Sequence, residues 1–288
     1  MIWTTTRFKI DLAKPRVMGI VNVTPDSFTD GDPASTPARA LATCERLLAE
    51  GADILDLGGE SSRPGAERVS VAEELNRVLP VLREALRLGC PISVDTSKPE
   101  VMRAALDLGA DIVNDVAALR VPGSLEVVAA HPSCGVCLMH MRGTPETMQS
   151  DTHYDDVVVE VVDFLRGRIE VLRSVGIASE RLVADPGIGF GKKAPQNLEL
   201  LRRESELLAL GVPVLAGWSR KATLARLAGV AATPPAVRSA AQRATLDAAS
   251  AAAGLLAVQR GASIVRVHNV AMTVAALSLW NAVSGERR

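Results

Sequence analysis

The sequence predicts a single-domain α/β protein, a (β/α)8 TIM barrel filling residues 1–288 with its core over about 16–282. Three observations predict it. First, one layout recurs: "EGADILDLGGE" (50–60), "LGADIVNDV" (108–116) and "RGASIVRVHNV" (260–270) each give Gly-Ala, a polar residue, a short apolar run and then polar groups. Second, a helix-like stretch precedes each copy ("ARALATCERLLA", "PEVMRAALDL" and "ATLDAASAAAGLLAVQ"), so the glycine falls where a helix ends in the left-handed conformation. Third, five more short apolar runs bring the strand total to eight, and eight alternating β/α units in about 270 residues suit a closed barrel. A doubly wound open sheet is the alternative. It would normally have fewer strands at this length, and it does not require polar residues at every strand end.

In chain order the strands are "VMGIVNV" (17–23), the run within 50–60, "PISVDT" (91–96), the run within 108–116, "GVCLMHM" (135–141), "RLVADP" (181–186), "PVLAGWS" (213–219) and the run within 260–270. Each is apolar and too short for a helix, as strands buried on both faces are. The segments between them read mostly as amphipathic helices. The composition, 48% apolar and 23% charged with a net charge of −1, is that of an ordinary globular chain. No basic block appears, so no nucleic-acid partner is expected. "MIWTTTRFKIDL" lacks the apolar core of a secretory signal, and no run of 18 apolar residues exists to span a membrane. Cys44, Cys90, Cys134 and Cys137 make no disulfide framework. The pair in "CGVC" reads as strand and strand-entry residues, because no second pair has ligand spacing.

Active sites of this fold lie at the carboxyl ends of the strands. Those ends carry Asn22, the "DLGGESSR" run from Asp56, Asp95, Asn114-Asp115, His140 with Arg142, Asp185, Ser219-Arg220-Lys221, and Arg266 with His268. Any one polar end is ordinary for a loop entry. Eight of eight, mixing acids, amides and cations, reads as a converging site. One group, Asp95, Asn114 and Asp185, suits the edge of a flat nitrogen heterocycle: a carboxylate accepts two parallel N–H bonds, and an amide both donates and accepts. Taken singly, Asp95 and Asp185 also fit a helix cap or turn. A second group, Asn22, Arg63, Arg266 and His268, comes from strands one, two and eight and suits an anion. Arg63 sits in a loop shaped by glycine and proline, and His268 shares a strand face with Arg266; a solvated arginine and a core histidine are the plain alternatives. Lys221 stands where a helix N-terminus disfavours a cation, which favours a ligand for it.

"ADPGIGFGKK" (184–193) looks like a phosphate loop but fails both patterns. Pro186 replaces the first Walker glycine and Lys193 the hydroxyl, while Lys192 occupies the third glycine of a dinucleotide fingerprint.

Together, "MGIVNVTPDSFTDG", "DLGGESSRPGA", "SVDTSK", "IVNDV", "LMHMRGTPETMQ", "DPGIGFGK", "SRK" and "RVHNV", in order from 18 to 270, resemble the dihydropteroate synthase family. The resemblance implies a transferase of folate biosynthesis. It would join 4-aminobenzoate to 6-hydroxymethyl-7,8-dihydropterin diphosphate, releasing diphosphate through a pterin cation. It implies Mg2+ as cofactor with Asn22 as ligand, a cytoplasmic homodimer (the alanine-rich helix at 240–258 being one candidate interface) and a family targeted by sulfonamides. By matched position it assigns Asp95, Asp185, Lys221 and Asn22 to catalysis. Asp95, Asn114, Asp185, Lys221, Met139 and Phe190 fall to the pterin, and Asn22, Arg63, Arg266 and His268 to the diphosphate. Ser61, Ser62, Pro64, Phe28, Phe190 and Ser219 fall to 4-aminobenzoate. In "DPGIGFGK" the chemistry rests on Asp185, with Phe190 as an apolar wall and the glycines turning the loop. Two positions depart from the family pattern: Ser62 stands where threonine is usual, and Asn269 where aspartate is usual, which removes a charge beside the anion site. A pterin-dependent methyltransferase shares the barrel and the pterin-side acids but needs neither the anion group nor the "DSF" and "ESSRPG" loops. A pterin-binding paralogue without turnover is the non-enzymatic rival.

Overall fold

A computed structural model describes residues 1–24, 36–61 and 68–284. The chain opens with two short antiparallel strands, β1 (Ile2–Thr4) and β2 (Lys9–Asp11). Eight parallel strands follow: β3 (Arg16–Asn22), β4 (Ile54–Gly58), β5 (Ile92–Asp95), β6 (Ile112–Asp115), β7 (Gly135–Met139), β8 (Leu182–Asp185), β9 (Leu215–Ala216) and β10 (Ile264–Val267). They pair in the order β8-β7-β6-β5-β4-β3-β10-β9, and a parallel bridge between Ala184 and Val214 joins the two ends. The sheet is therefore a nearly closed barrel, as the repeated layout predicts.

Helices α1 (Thr36–Ala49), α2 (Val71–Ala85), α3 (Pro99–Leu108), α4 (Ser124–Ala130), α5 (Val157–Ser174) and α6 (Ala194–Arg202) follow β3 to β8 in turn. α7 (Ala222–Leu227) and α8 (Ala240–Gln259) both follow β9, and α9 (Val270–Val283) follows β10. Side chains of Ser70, Asp156, Ser239 and Asn269 cap α2, α5, α8 and α9 by accepting amide hydrogens that the first turn leaves unpaired. The three repeated glycines, Gly51, Gly109 and Gly261, have φ of 100°, 104° and 105°, the left-handed turn expected of them.

Inside the ring, Met18, Ile54, Ile112, Cys137, Val183, Leu215 and Ile264 form one apolar layer. Trp3, Ile10 and Leu12 from the N-terminal hairpin pack on it and plug the amino-terminal end. The Trp3 indole N–H donates to the Arg181 carbonyl (2.9 Å), and Arg7 grips the buried Asp111 through its guanidinium (2.6 Å). This hairpin is absent from the sequence reading because strands of three residues leave no periodicity to detect. The four cysteines are free and buried.

Candidate active site

Two residues along most of these strands, the inward positions turn polar. Asp95, Asn114, Asp185, Lys221 and Arg266 line one cavity at the carboxyl end of the barrel. Val116, Met139, Ile188 and Phe190 supply its apolar walls, and Gly217 leaves room beside the Asp185 carboxylate. Met139 and Phe190 also pack with Met141 and Met148 in a small cluster of their own.

Arg266 organises the acids. Its Nε donates to Asp56 Oδ2 (2.6 Å) and its terminal nitrogen to Asp95 Oδ2 (2.6 Å), while Asn114 Nδ2 donates to Asp56 Oδ2 (3.1 Å). Burial alone would lower the arginine's pKa, but the Asp56 and Asp95 charges raise it, so it stays charged. Burial pushes the Asp95 carboxyl up to about 7; Arg266 pulls it back, and the charges of Asp56, Asp115 and Glu74 push it further up. Asp185 is also raised by burial, against the Gly187 amide and the Lys221, Arg266 and Lys192 charges. Asp95 and Asp185 thus share the cavity with Lys221 and Arg266, and burial raises both carboxyls while the neighbouring cations pull them back.

The glycine-rich loop after β8 is built around two buried side chains. Asp185 Oδ1 accepts the Gly187 N–H (2.7 Å). Gly187 has φ of 67°, and a Cβ there would collide with the His140 carbonyl. Lys192 folds back beneath the loop and donates to the carbonyls of Gly187 and Phe190 (both 3.0 Å) and to His140 Nδ1 (2.8 Å). Burial drives the His140 pKa down to about 2, with the Lys192 charge adding to it, so the ring is neutral and its Nδ1 can accept. Asn197 ties the same loop down, accepting from Gly189 N (2.8 Å) and donating to Thr223 Oγ1 (3.0 Å) at the start of α7. The lysine of this motif is a strut for the loop, and Phe190 leaves the strut to lie 4.1 Å beneath Lys221 Nζ. This places a cation on the ring face.

The other expected residues fall as follows. Ser219 and His268 meet: Ser219 Oγ lies 2.9 Å from His268 Nδ1 and accepts the His268 N–H (3.1 Å). Asn22 ends β3 opposite Gly58 of β4, and Ser61 stands half-buried beyond β4. Phe28, Ser62, Arg63 and Pro64 lie outside the described residues. Arg266, read with the anion group, bonds two acids and lines the same cavity as Asp95, Asn114 and Asp185. His140 and Arg142 do not converge on the cavity. His140 is turned onto Lys192 and the edge of Phe164, and Arg142 pairs with Glu160 (2.6 Å) over the Tyr154 ring. The period-two pattern ends with β7, and the loop after it redirects both. Asn269 points away from the rim: its Oδ1 caps α9 and its Nδ2 reaches Asp247. The sequence reading gave no role to Asp56. The period of two gives the signal: Asp56 follows Ile54 by two residues, so it shares the face on which Ile54 enters the interior layer.

Comparison with known proteins agrees with this fold. Residues 18–268 match the pterin binding enzyme family. The dihydropteroate synthase of Neisseria meningitidis serogroup B is 50% identical over 287 residues, covering 98% of this chain and 97% of that protein. A Xanthomonas albilineans dihydropteroate synthase solved with 4-aminobenzoic acid superposes with a TM-score of 0.86 at 50% identity over 96% of each chain. The enzyme from the same organism in complex with 7,8-dihydropteroate gives a TM-score of 0.81 at 47% identity, again over 96% of each. The chain belongs to the pterin-binding enzymes, within the dihydropteroate synthase family.

Proposed function

We propose that this chain condenses 4-aminobenzoate with 6-hydroxymethyl-7,8-dihydropterin diphosphate to give 7,8-dihydropteroate and diphosphate, through a transition state with pterin-cation character. The single observation that carries this is the meeting of Asp95, Asn114, Asp185, Lys221 and Arg266 in one cavity against Phe190 and Met139. In the reaction the exocyclic C–O bond breaks and its electron pair leaves with the diphosphate. The arylamine nitrogen then forms the new C–N bond and gives up a proton. Asp185 and Asn114 face the pterin edge as acceptor and donor–acceptor, and both acids stabilise positive charge as it spreads into the ring. Asp95 does so best when ionised, which Arg266 favours. Phe190, fixed by the Lys192 strut, forms an apolar wall for 4-aminobenzoate. Lys221 holds its charge over that wall, and the Ser219–His268 pair lies two residues past Arg266 on the side assigned to the anion. The roles of Ser61, Ser62, Arg63, Pro64 and Phe28 rest on matched positions in the family alone.

Asn22 offers an amide oxygen, the hard donor that Mg2+ takes. Among the described residues no group of three or more His, Cys, Asp or Glu is placed to hold a metal. One amide donor fits an ion that would arrive on the diphosphate with most of its sphere from phosphate and water. When bound there, Mg2+ would neutralise charge on the departing group.

A second copy of the chain is the proposed cover for the faces of α8 and α9. No charged residue occurs in α9, Leu279 and Val283 are exposed at 68% and 74%, and Leu256 of α8 is exposed at 41%. Sedimentation at twice the 30.4 kDa chain mass supports the dimer, and a single-chain mass removes it. Sulfonamides, as 4-aminobenzoate mimics, and a cytoplasmic setting follow as proposals from the same family reading. The deciding experiment supplies both substrates and Mg2+ and follows diphosphate and dihydropteroate together. Equimolar appearance is expected; tight pterin binding without turnover would instead identify a binding protein.

A further inference from the structure

Three non-glycine residues among those described have positive φ, and one of them, Arg220 (φ 56°), lies between Ser219 and Lys221. A side-chain-bearing residue rarely adopts this conformation unless its surroundings hold it there. Here α8 holds it from two directions. Ser250 Oγ accepts the Arg220 N–H (3.0 Å), and Asp247 takes the guanidinium through both oxygens (2.6 and 2.9 Å). The Asp247 side chain is 7% exposed. Burial raises its pKa, but the bonds from Arg220 and Asn269 and the charges of Arg220 and His268 bring it below the usual value, so the clamp is ionic. Asn269 Nδ2 donates to Asp247 Oδ2 at 3.1 Å while its Oδ1 caps α9 at Met272 N (3.1 Å). An aspartate at 269 could keep the cap but would set a second carboxylate against Asp247. The amide gives Asp247 a further donor instead.

The left-handed step has a geometric consequence. Arg220 is drawn outward to α8, while the residues on either side serve the rim. Ser219 bonds His268, and Lys221 stands over Phe190 and lines the cavity. We propose that Asp247, steadied by Asn269, is a positioning residue that fixes Arg220 in the left-handed conformation and thereby aims Ser219 and Lys221 at the substrates. This rests on the reading of Lys221 and Ser219 as substrate-facing.

The test is a backbone rescue, with dihydropteroate formation assayed beside wild type. Asp247→Ala is expected to lower kcat/KM about tenfold, because an L residue left unheld at positive φ relaxes away from it. Adding Arg220→Gly should recover most of that loss, since glycine adopts positive φ without help. Adding Arg220→Ala removes the same unpaired charge but not the strain and should recover little. Equal rescue by alanine and glycine, or no loss in Asp247→Ala, overturns the proposal. If Asp247→Ala does not fold by thermal melting, Asp247→Asn enters the same cycle with the same expectations. An inactive wild type would count against the proposed function; an active wild type without glycine-specific rescue counts against the clamp alone.

Discussion

The two ends of the barrel interior are built from the same strands and differ completely in chemistry. At the lower level Ile54, Ile112, Val183 and Ile264 pack over Trp3 in one apolar cluster. Two residues on, roughly 7 Å along each strand, the same inward face carries Asp56, Asn114, Asp185 and Arg266. The lower layer has an apolar partner for every side chain. The upper layer has three acids for one arginine and one lysine, and Asp56 Oδ1 has no hydrogen-bond partner among the described residues. A fold can hold such a layer only because the layer beneath it supplies the burial free energy. The comparison teaches that stability and chemistry are separated by one strand repeat, so substitutions at the two levels should have opposite signatures.

The largest effects come from a matched pair. Asp185→Asn removes the charge proposed to face the pterin edge and should cut turnover by roughly 10²–10³-fold, as losing one preorganised electrostatic group does. Its melting temperature should stay within a few degrees of wild type. Trp3→Ala leaves a cavity in the plug and should cost about 3–5 kcal/mol. That lowers the melting temperature by roughly 10 °C in a domain of this size, with kcat/KM per folded molecule unchanged. Melting curves and steady-state rates on both variants check the pair. A Trp3→Ala enzyme that melts normally but turns over slowly would show that the plug and the rim are not independent.

Much of this division is legible in the sequence, and its gaps have physical causes. The barrel is readable because glycine at helix ends and apolar strands repeat as a unit, and Gly51, Gly109 and Gly261 all take the predicted conformation. Asp95, Asn114, Asp185, Lys221 and Phe190 are readable because strand periodicity and loop position put them on the rim. Lys192 is not. A lysine in a glycine-rich loop suggests an anion, and only the fold shows four acceptors from Gly187, Phe190 and His140 around its nitrogen. The partners of Arg266 are hidden for a related reason: a cation near the closing strand suggests an anion, but its two carboxylate partners come from β4 and β5, 171 residues or more earlier in the chain. Asn269 shows a change of charge, but not that its amide faces Asp247. Local pattern sets which side chains face inward; partners distant in sequence decide what each then does.

The smallest effect sharpens the comparison most, because it asks whether the upper layer costs stability. Asp95 has its carboxyl raised from 3.8 to about 7, by burial first and then by the neighbouring acids, despite Arg266. The native state therefore holds a proton that the unfolded chain has already released. Between about pH 4 and pH 7 the folded form binds more protons, so this residue makes stability fall as pH rises, with the full penalty present above about 7. Asp95→Asn removes the penalty. A shift of three units or so would be worth about 4 kcal/mol at most, and losing a partner of Arg266 returns part of it, leaving on the order of 1–2 kcal/mol. The variant should melt a few degrees above wild type at pH 8. The difference should vanish near pH 4, and activity should be lost at both. If Asp95→Asn instead melts lower at pH 8, the Asp95–Arg266 pair is a net stabiliser, and the rim is not held at the expense of the layer below.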